Sequence, residues 1–255
     1  MSEPIGTVIV PAHNEEAVIA RSLAQLARLA ESGEVVVVVA CNGCTDGTVA
    51  VASAFPGVIV LDIPTASKVA GMRGGDEVAM PGRPRIYLDA DVVMTADAVR
   101  AVLGALSGDA PRAARPPVRF DASGASWAVR RWYVVRQALP SIQRVLWGSG
   151  TYGLSASGRE RFGEWPDIVS DDLFIDDLFA DDERMIVATD PVVVTTPRRG
   201  RDLVRILRRT YRTQREVLDA EGAVVSSGQR GQLADLAAIV RDNPLRLVDC
   251  AVYAG

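Results

Sequence analysis

The chain has 255 residues, 48% of them hydrophobic and 24% charged, and its 28 basic and 32 acidic residues leave a formal net charge of −4. Such proportions exclude a disordered chain, and the mildly acidic balance argues against general nucleic-acid binding. No apolar run approaches membrane-spanning length, and the start MSEPIGTVIVPAHNEE has no basic stretch before its apolar run, as a signal peptide would.

From the N-terminus, β-branched runs alternate with helical patterns. Thr7 to Val10 reads as a strand, and Asn14 is the candidate cap of a helix with apolar positions Ile19, Leu23, Leu26 and Ala30. A strand from Glu34 to Ala40 ends in a Cys-Asn-Gly turn, and a helix from about Asp46 to Ala54 follows. Val58 to Ile63 is a third strand, Ser67 to Met80 a helix and Arg85 to Leu88 a fourth strand; Thr95 then caps a helix reaching Leu106. This βαβαβαβ order predicts a mostly parallel sheet with right-handed crossovers. The continuously apolar runs Val35–Val39 and Val58–Leu61 suit strands covered by helices on both faces.

Past Gly108 the pattern changes: Pro111, Pro116 and Pro117 interrupt the chain, and Trp127, Trp132, Tyr133, Trp147 and Tyr152 cluster. We place a division there, between residues 1–108 and residues 109–255 of one continuous domain. Glu164 to Glu183 carries nine acids and no base, whereas Arg198 to Arg215 carries eight arginines against one acid, Asp202. The reversal implies that the segments face each other or that each faces something charged. Arg201, Arg205, Arg208, Arg212 and Arg215 recur at steps of four and three on one helical face, opposite Leu203, Leu207, Tyr211 and Leu218.

In an open parallel sheet, ligands bind beyond the carboxyl ends of the strands. The segments there read Pro11-Ala-His-Asn-Glu-Glu, Cys41-Asn-Gly-Cys-Thr-Asp, Pro64-Thr-Ala-Ser-Lys68 and Asp89-Ala-Asp91. No glycine-rich phosphate loop follows the first two strands, which disfavours a nicotinamide dehydrogenase or a P-loop NTPase. Residues i and i+2 of extended chain point the same way, so Asp89 and Asp91 can converge on a hard cation such as Mg²⁺ or Mn²⁺; alternatively, Asp89 ends a strand and Asp91 is solvated. Ser170-Asp171-Asp172 reads either as a capped helix start or as a carboxylate at a reacting centre, and with one histidine, His13, the candidate bases are mostly acids. The arginine face is either a solvated face paired with the acids or a diphosphate clamp. Three cysteines are too few for a disulfide framework, and Cys41-x-x-Cys44 lacks the second pair a zinc site needs, so a reducing, cytoplasmic setting is expected.

Together and in order, V-I-V-P-A-H-N-E-E, N-G-C-T-D-G-T, Lys68 with Gly71 and Arg73-Gly-Gly, Y-L-D-A-D-V and S-D-D-L-F resemble the family-2 nucleotide-sugar glycosyltransferases of the GT-A fold. The resemblance implies an α/β architecture: a Rossmann-like sheet flanked by helices, with a smaller mixed lobe on the acceptor side. It implies that Pro11, His13, Asn14 and Glu15 line the nucleotide pocket, joined by Asn42, Lys68 and Asp89. Asn42 stands where the family pattern has an Asp. It further implies that Asp91, with Asp89, holds a divalent cation, Mg²⁺ or Mn²⁺, on the diphosphate, and that Trp147, Gly148, Ser149 and Gly150 border the donor sugar and acceptor. Asp172, preferred to its neighbour Asp171, aligns with the catalytic base. Arg208, Arg209 and Arg212 occupy the region of the arginine motif and are assigned to the diphosphate.

The implied reaction is inverting transfer of a single sugar from a nucleotide-diphosphate sugar to an acceptor hydroxyl, since the Q-x-x-R-W motif and membrane helices of processive synthases are absent. Two rival readings are a sugar-phosphate nucleotidyltransferase, whose G-x-G-T-R loop is missing, and a catalytically silent nucleotide-sugar-binding scaffold. Leu233 to Tyr253 is a tail whose candidate partners are its own domain, a second subunit in a homodimer, or a membrane surface, which would make the protein peripheral.

Overall fold

The computed structural model describes residues 3–168, 170–221, 227–243 and 246–254. The β-branched runs become strands and the periodic stretches between them become helices: β1 (Thr7–Ala12), α1 (Ile19–Glu31), β2 (Val36–Asn42), α2 (Thr48–Ser53), β3 (Val58–Ile63), α3 (Lys68–Val78), β4 (Arg85–Leu88) and α4 (Ala96–Ala105). Then come β5 (Ala113–Arg115), β6 (Val118–Asp121), α5 (Trp127–Ala138), α6 (Pro140–Arg144), β7 (Thr151–Leu154), α7 (Ala156–Arg159) and α8 (Asp171–Leu178). The chain ends with β8 (Arg184–Ile186), β9 (Val192–Thr195), α9 (Gly200–Glu221), α10 (Ser227–Asp242) and α11 (Leu247–Ala254).

Seven strands form one sheet in the order β3-β2-β1-β4-β7-β5-β8, and β6 pairs with β9 apart from it. The sheet is mostly parallel, with β7 running antiparallel to both of its neighbours. That reversal matters for the site. Because Leu88 of β4 pairs with Thr151, the first residue of β7, the turn that precedes β7 is delivered to the carboxyl end of β4, beside Asp89. β1 and β2 lie in the interior and are buried almost throughout, as their unbroken apolar runs require. β3 carries a similar run but forms the sheet edge, where Ile59 is exposed; an apolar strand alone does not distinguish these two places.

The chain divides into two compact units, Met1–Pro117 with Leu146–Val192, and Val118–Val145 with Val193–Gly255. In the first, Ile9, Met72, Tyr87, Tyr152, Leu154, Trp165 and Ile175 belong to one buried cluster that joins the sheet to α3 and α8. In the second, Val129 and Trp132 of α5 bury against Leu203 of α9, with Leu207, Val252 and Tyr253 packed around them. The end of the tail therefore packs on its own unit: Tyr253 stacks on Trp132 at 4.9 Å and Asp249 pairs with Arg131 at 3.3 Å, while Leu247 and Val248 remain exposed. The side chains of Tyr211 and Leu218, placed by periodicity on the apolar face of α9, lie outside the described residues. Among the described residues no helix is long and apolar enough to cross a membrane.

Two capping assignments are corrected. Asn14 does not cap α1, which begins five residues later with Val18 at its N-cap position. Its backbone is left-handed (φ 56°), a conformation that asparagine tolerates as well as it tolerates caps, and its Oδ1 accepts from Thr45 N at 2.8 Å. Ser170 does occupy the N-cap position of α8, yet its hydroxyl makes no capping bond and donates instead to Asp172 Oδ1 at 3.0 Å. Thr95 caps as expected, accepting from Ala98 N, and Ser67, read as the first residue of its helix, is the N-cap of α3 and accepts from Ala70 N.

Candidate active site

The loops after β1 and β2 are bound to each other, which gives the carboxyl edge of the sheet a fixed floor. His13 Nδ1 donates to the Asn42 carbonyl at 2.6 Å, Glu15 N to Thr48 Oγ1 at 2.8 Å, and Gly47 N to a Glu16 carboxylate oxygen at 3.0 Å. Cys44 Sγ donates to the Ala12 carbonyl, and burial pushes the neighbouring Cys41 thiol up to about 12, so this Cys-x-x-Cys pair serves as loop packing. Asn42 is buried, and its Oδ1 has no hydrogen-bond partner. It faces α3 where Gly71 leaves room: a Cβ there would stand 3.1 Å from that oxygen.

At the centre, the only lysine of the chain bridges two carboxylates. Lys68 Nζ lies 2.8 Å from Asp89 Oδ1 and 2.8 Å from Asp171 Oδ1. Lys68 begins α3, Asp89 follows β4 and Asp171 begins α8, so three elements meet in one charge cluster. Burial would pull the lysine down, but Asp89 and then Asp171 more than reverse this and hold the ammonium protonated. Burial likewise pushes Asp89 up, with Lys68 opposing and Asp171 adding to the effect. The cluster is not sealed, since Lys68 and Asp89 keep 42% and 40% of their side-chain surface accessible, against 5% for Asp171.

The adjacent carboxylates of α8 have different surroundings. Asp171 is buried with a partner on each oxygen: Oδ1 takes Lys68 and Oδ2 accepts from Tyr152 Oη at 2.8 Å. Asp172 is half-buried; Oδ1 accepts from Ser170 Oγ and from Leu173 N at 2.9 Å, and Oδ2 from Gly148 N at 2.7 Å. The turn from Leu146 to Gly150 is held by α8 at two places, because Asp176, one helical turn on, accepts from Leu146 N at 2.7 Å. Its other end is fixed to Asp89, whose N–H donates to the Gly150 carbonyl at 2.8 Å. Gly150 has φ +69°, and a Cβ on it would stand 2.5 Å from Val92 and 3.3 Å from Asp89 Oδ2, so only glycine brings the turn this close. Ser149 turns inward to the Leu146 and Thr151 carbonyls, whereas Trp147 and Gly148 are half-buried.

The residues present fit a divalent cation. Asp91 is exposed, and among the described residues no hydrogen bond or ion pair engages its carboxylate; only its carbonyl is used, by Arg21. Glu15 is pushed up by burial and then by Asp91, Asp89 and Asp46, the signature of acids crowded without enough positive charge. Among the described residues no group of three His, Cys, Asp or Glu could hold a metal alone. Hard carboxylate oxygens with coordination positions left over suit Mg²⁺ or Mn²⁺ completing its shell on phosphate oxygens.

Every sequence-assigned residue up to Asp172 thus falls in the first unit, along one edge of its sheet. Arg208 and Arg212 are exposed on α9 in the second unit, and the Arg209 side chain lies outside the described residues. Sequence reasoning left Tyr152 among the clustered aromatics and passed over Asp176, which fixes the Leu146–Gly150 turn. Their partners are 19 and 30 residues away, and no local pattern marks them.

The profile of glycosyl transferase family 2 matches residues 7–149. The chain belongs to that family. It is a glycosyltransferase of the GT-A fold, and its solved structural neighbours agree on that architecture. A mannosyltransferase from Pyrobaculum calidifontis, solved with GDP-Man and Mn²⁺, superposes with TM-score 0.66 at 20% identity over 99% of this chain and 74% of its own. Mannosyl-3-phosphoglycerate synthase from Rubrobacter xylanophilus gives 0.58 at 18% identity, covering 87% and 76%. Glucosyl-3-phosphoglycerate synthase from Mycobacterium tuberculosis, solved with Mn²⁺, UDP and glucosyl-3-phosphoglycerate, gives 0.56 at 20% identity, covering 86% and 81%. No curated protein matches the chain.

Proposed function

We propose that this glycosyltransferase moves one sugar from a nucleotide-diphosphate sugar to an acceptor hydroxyl with inversion, assisted by Mg²⁺ or Mn²⁺, and that Asp172 is the general base. The observation that carries the reading is the contrast within α8. Asp171 is paired with the Lys68 ammonium and has almost no surface, whereas Asp172 keeps surface and has no cation on it among the described residues, and its three hydrogen bonds leave about one of the roughly four acceptor positions of a carboxylate. A base needs an accessible lone pair that no cation neutralises, which is why Asp172 is preferred to Asp171.

The nucleotide would lie on the floor made by Pro11, His13, Asn14, Glu15 and Asn42. Asn42 puts a neutral amide where the family pattern has a carboxylate. Asp91 with Asp89 would hold the cation, which supplies Lewis-acid neutralisation of the leaving diphosphate. Asp172 takes the acceptor hydroxyl proton as that oxygen attacks the anomeric carbon from the side opposite the nucleotide, while the Trp147–Gly150 turn borders the sugar. The neighbours solved with GDP-Man, with UDP and with Mn²⁺ support this donor class. For Arg208, Arg209 and Arg212 the diphosphate role rests on the family resemblance alone. The test is a pair of variants: Asp172→Asn should bind donor and turn over poorly, and an active Asp172→Asn beside an inactive Asp171→Asn would move the base by one residue.

A further inference from the structure

Asp171 is buried in the site with a partner on each oxygen, and neither substrate binding nor proton transfer as proposed above uses it. We infer that Lys68 and Tyr152 are positioning residues that clamp Asp171 from opposite sides, and that through this clamp α8 holds the Asp172 carboxylate at a fixed place relative to Asp89. The inference rests on the assignment of Asp172 as base.

The geometry has the form of a strut. Tyr152 Oη, from β7, donates to one oxygen of Asp171 at 2.8 Å, and Lys68 Nζ, from the start of α3, lies 2.8 Å from the other. The same ammonium reaches Asp89 at 2.8 Å, so the path Tyr152–Asp171–Lys68–Asp89 spans from the strand beside β4 back to the end of β4 itself. Tyr152 is held in turn: it is 3% exposed, its ring lies 5.3 Å from that of Tyr87, and burial and then Asp171 keep its phenol protonated and therefore a donor. Asp172 follows Asp171 directly, so a shift in the first turn of α8 moves the base by a similar amount. Misplacing a reacting group by about 1 Å costs roughly a hundredfold in rate. The clamp thus accounts for the burial of a carboxylate next to the base, and for a role of the lone lysine beyond any contact with donor.

Tyr152→Phe removes one oxygen and keeps the ring packing. Release of nucleotide diphosphate from GDP-mannose, UDP-glucose and UDP-GlcNAc in Mn²⁺, with water as acceptor of the sugar, would give kcat, alongside GDP and UDP affinity and amide hydrogen exchange. We expect kcat to fall by about ten- to a hundredfold, nucleotide-diphosphate affinity to stay within about twofold, and exchange to quicken in residues 171–178 but not in β1 or β2. Lys68→Gln should lower both kcat and affinity because it also releases Asp89, and Lys68→Arg, able to span two carboxylates, should restore part of the kcat loss. Unchanged kcat together with unchanged exchange in α8 for Tyr152→Phe would overturn the clamp, as would a loss of affinity equal to the loss of kcat. Asp172→Asn in the same assays separates the two ideas: an active Asp172→Asn removes the base assignment, whereas an inactive one beside an unaffected Tyr152→Phe removes the clamp alone.

Discussion

Helix α3 carries one charged cluster at each end, and the two are built for different ends. Asp76, about 12 Å along the helix from Lys68, has all its positions filled: Oδ1 accepts from Arg85 and Tyr87 at 2.7 and 2.6 Å, and Oδ2 from Arg159 and Trp165 at 2.9 and 2.8 Å. Asp76, Arg85 and Arg159 are 10%, 12% and 16% exposed, and two guanidinium groups face one carboxylate. At Lys68 the balance is reversed, with one ammonium between two carboxylates, Asp91 and Asp172 close by in sequence, and far more open surface. A filled, sealed cluster stabilises structure. A cluster left short of positive charge and open to solvent is the one to which the proposed function brings a cation and a ligand.

This contrast predicts where substitutions strike activity and where they strike stability. The largest effect on activity is expected at Asp172. Asp172→Asn keeps the shape and removes the proton acceptor, so turnover should fall by about 10²–10⁴ while donor affinity stays within a few-fold and the melting temperature barely moves. Steady-state transfer and titration calorimetry on the same preparation decide it; a matched loss of affinity would remove Asp172 from the role of base. Next is Asp91→Ala, which should abolish the Mn²⁺-dependent part of GDP or UDP binding and leave the fold intact. Metal-dependent affinity equal to wild type would refute the assignment of the cation to Asp91.

Asp76→Ala should do the opposite. It leaves two buried guanidinium groups without their carboxylate, a change that costs about 3–5 kcal/mol, and the melting temperature should fall by roughly 10 °C. Below the transition, GDP or UDP affinity in Mn²⁺ should match wild type. A selective loss of nucleotide binding without loss of stability would erase the distinction between the two ends of α3.

The two clusters were not equally legible in the sequence. The parallel half of the sheet is written locally: unbroken runs of β-branched residues between turn signals read as strands, and Thr95 announces the helix it caps. The ends of those strands then mark Lys68, Asp89 and Asp91, because a parallel sheet gathers its loops on one edge. Asp76 gave no such signal, since its partners Arg85, Arg159 and Trp165 lie 9, 83 and 89 residues away and none stands in a periodic pattern with it. The role of Tyr152 was hidden for the same reason, and because an antiparallel strand inside a parallel sheet is a tertiary choice that β-propensity does not encode. Asn14 was misread because a residue suited to caps is suited to left-handed turns as well.

The smallest expected effect tests the shortage of positive charge itself. Glu15 is pushed above its ordinary value of 4.5, first by burial and then by Asp91, Asp89 and Asp46. The folded state therefore holds this proton to higher pH than the unfolded state does. Stability associated with Glu15 is full below about 4.5, declines as pH rises through the interval up to the raised value, and stays diminished above it. Glu15→Gln removes the charge and should raise the melting temperature of the ligand-free protein at pH 7 by a degree or two, on the scale of near-surface substitutions. At pH 4 the difference should shrink towards zero. Mn²⁺ held by Asp89 and Asp91 as proposed would supply positive charge beside Glu15 and should narrow the gain at pH 7 as well, whereas the same comparison at Asp76 should show no dependence on metal. A melting temperature lowered by Glu15→Gln at pH 7, or a gain indifferent to both pH and metal, would mean that the carboxyl edge of the sheet is not short of positive charge.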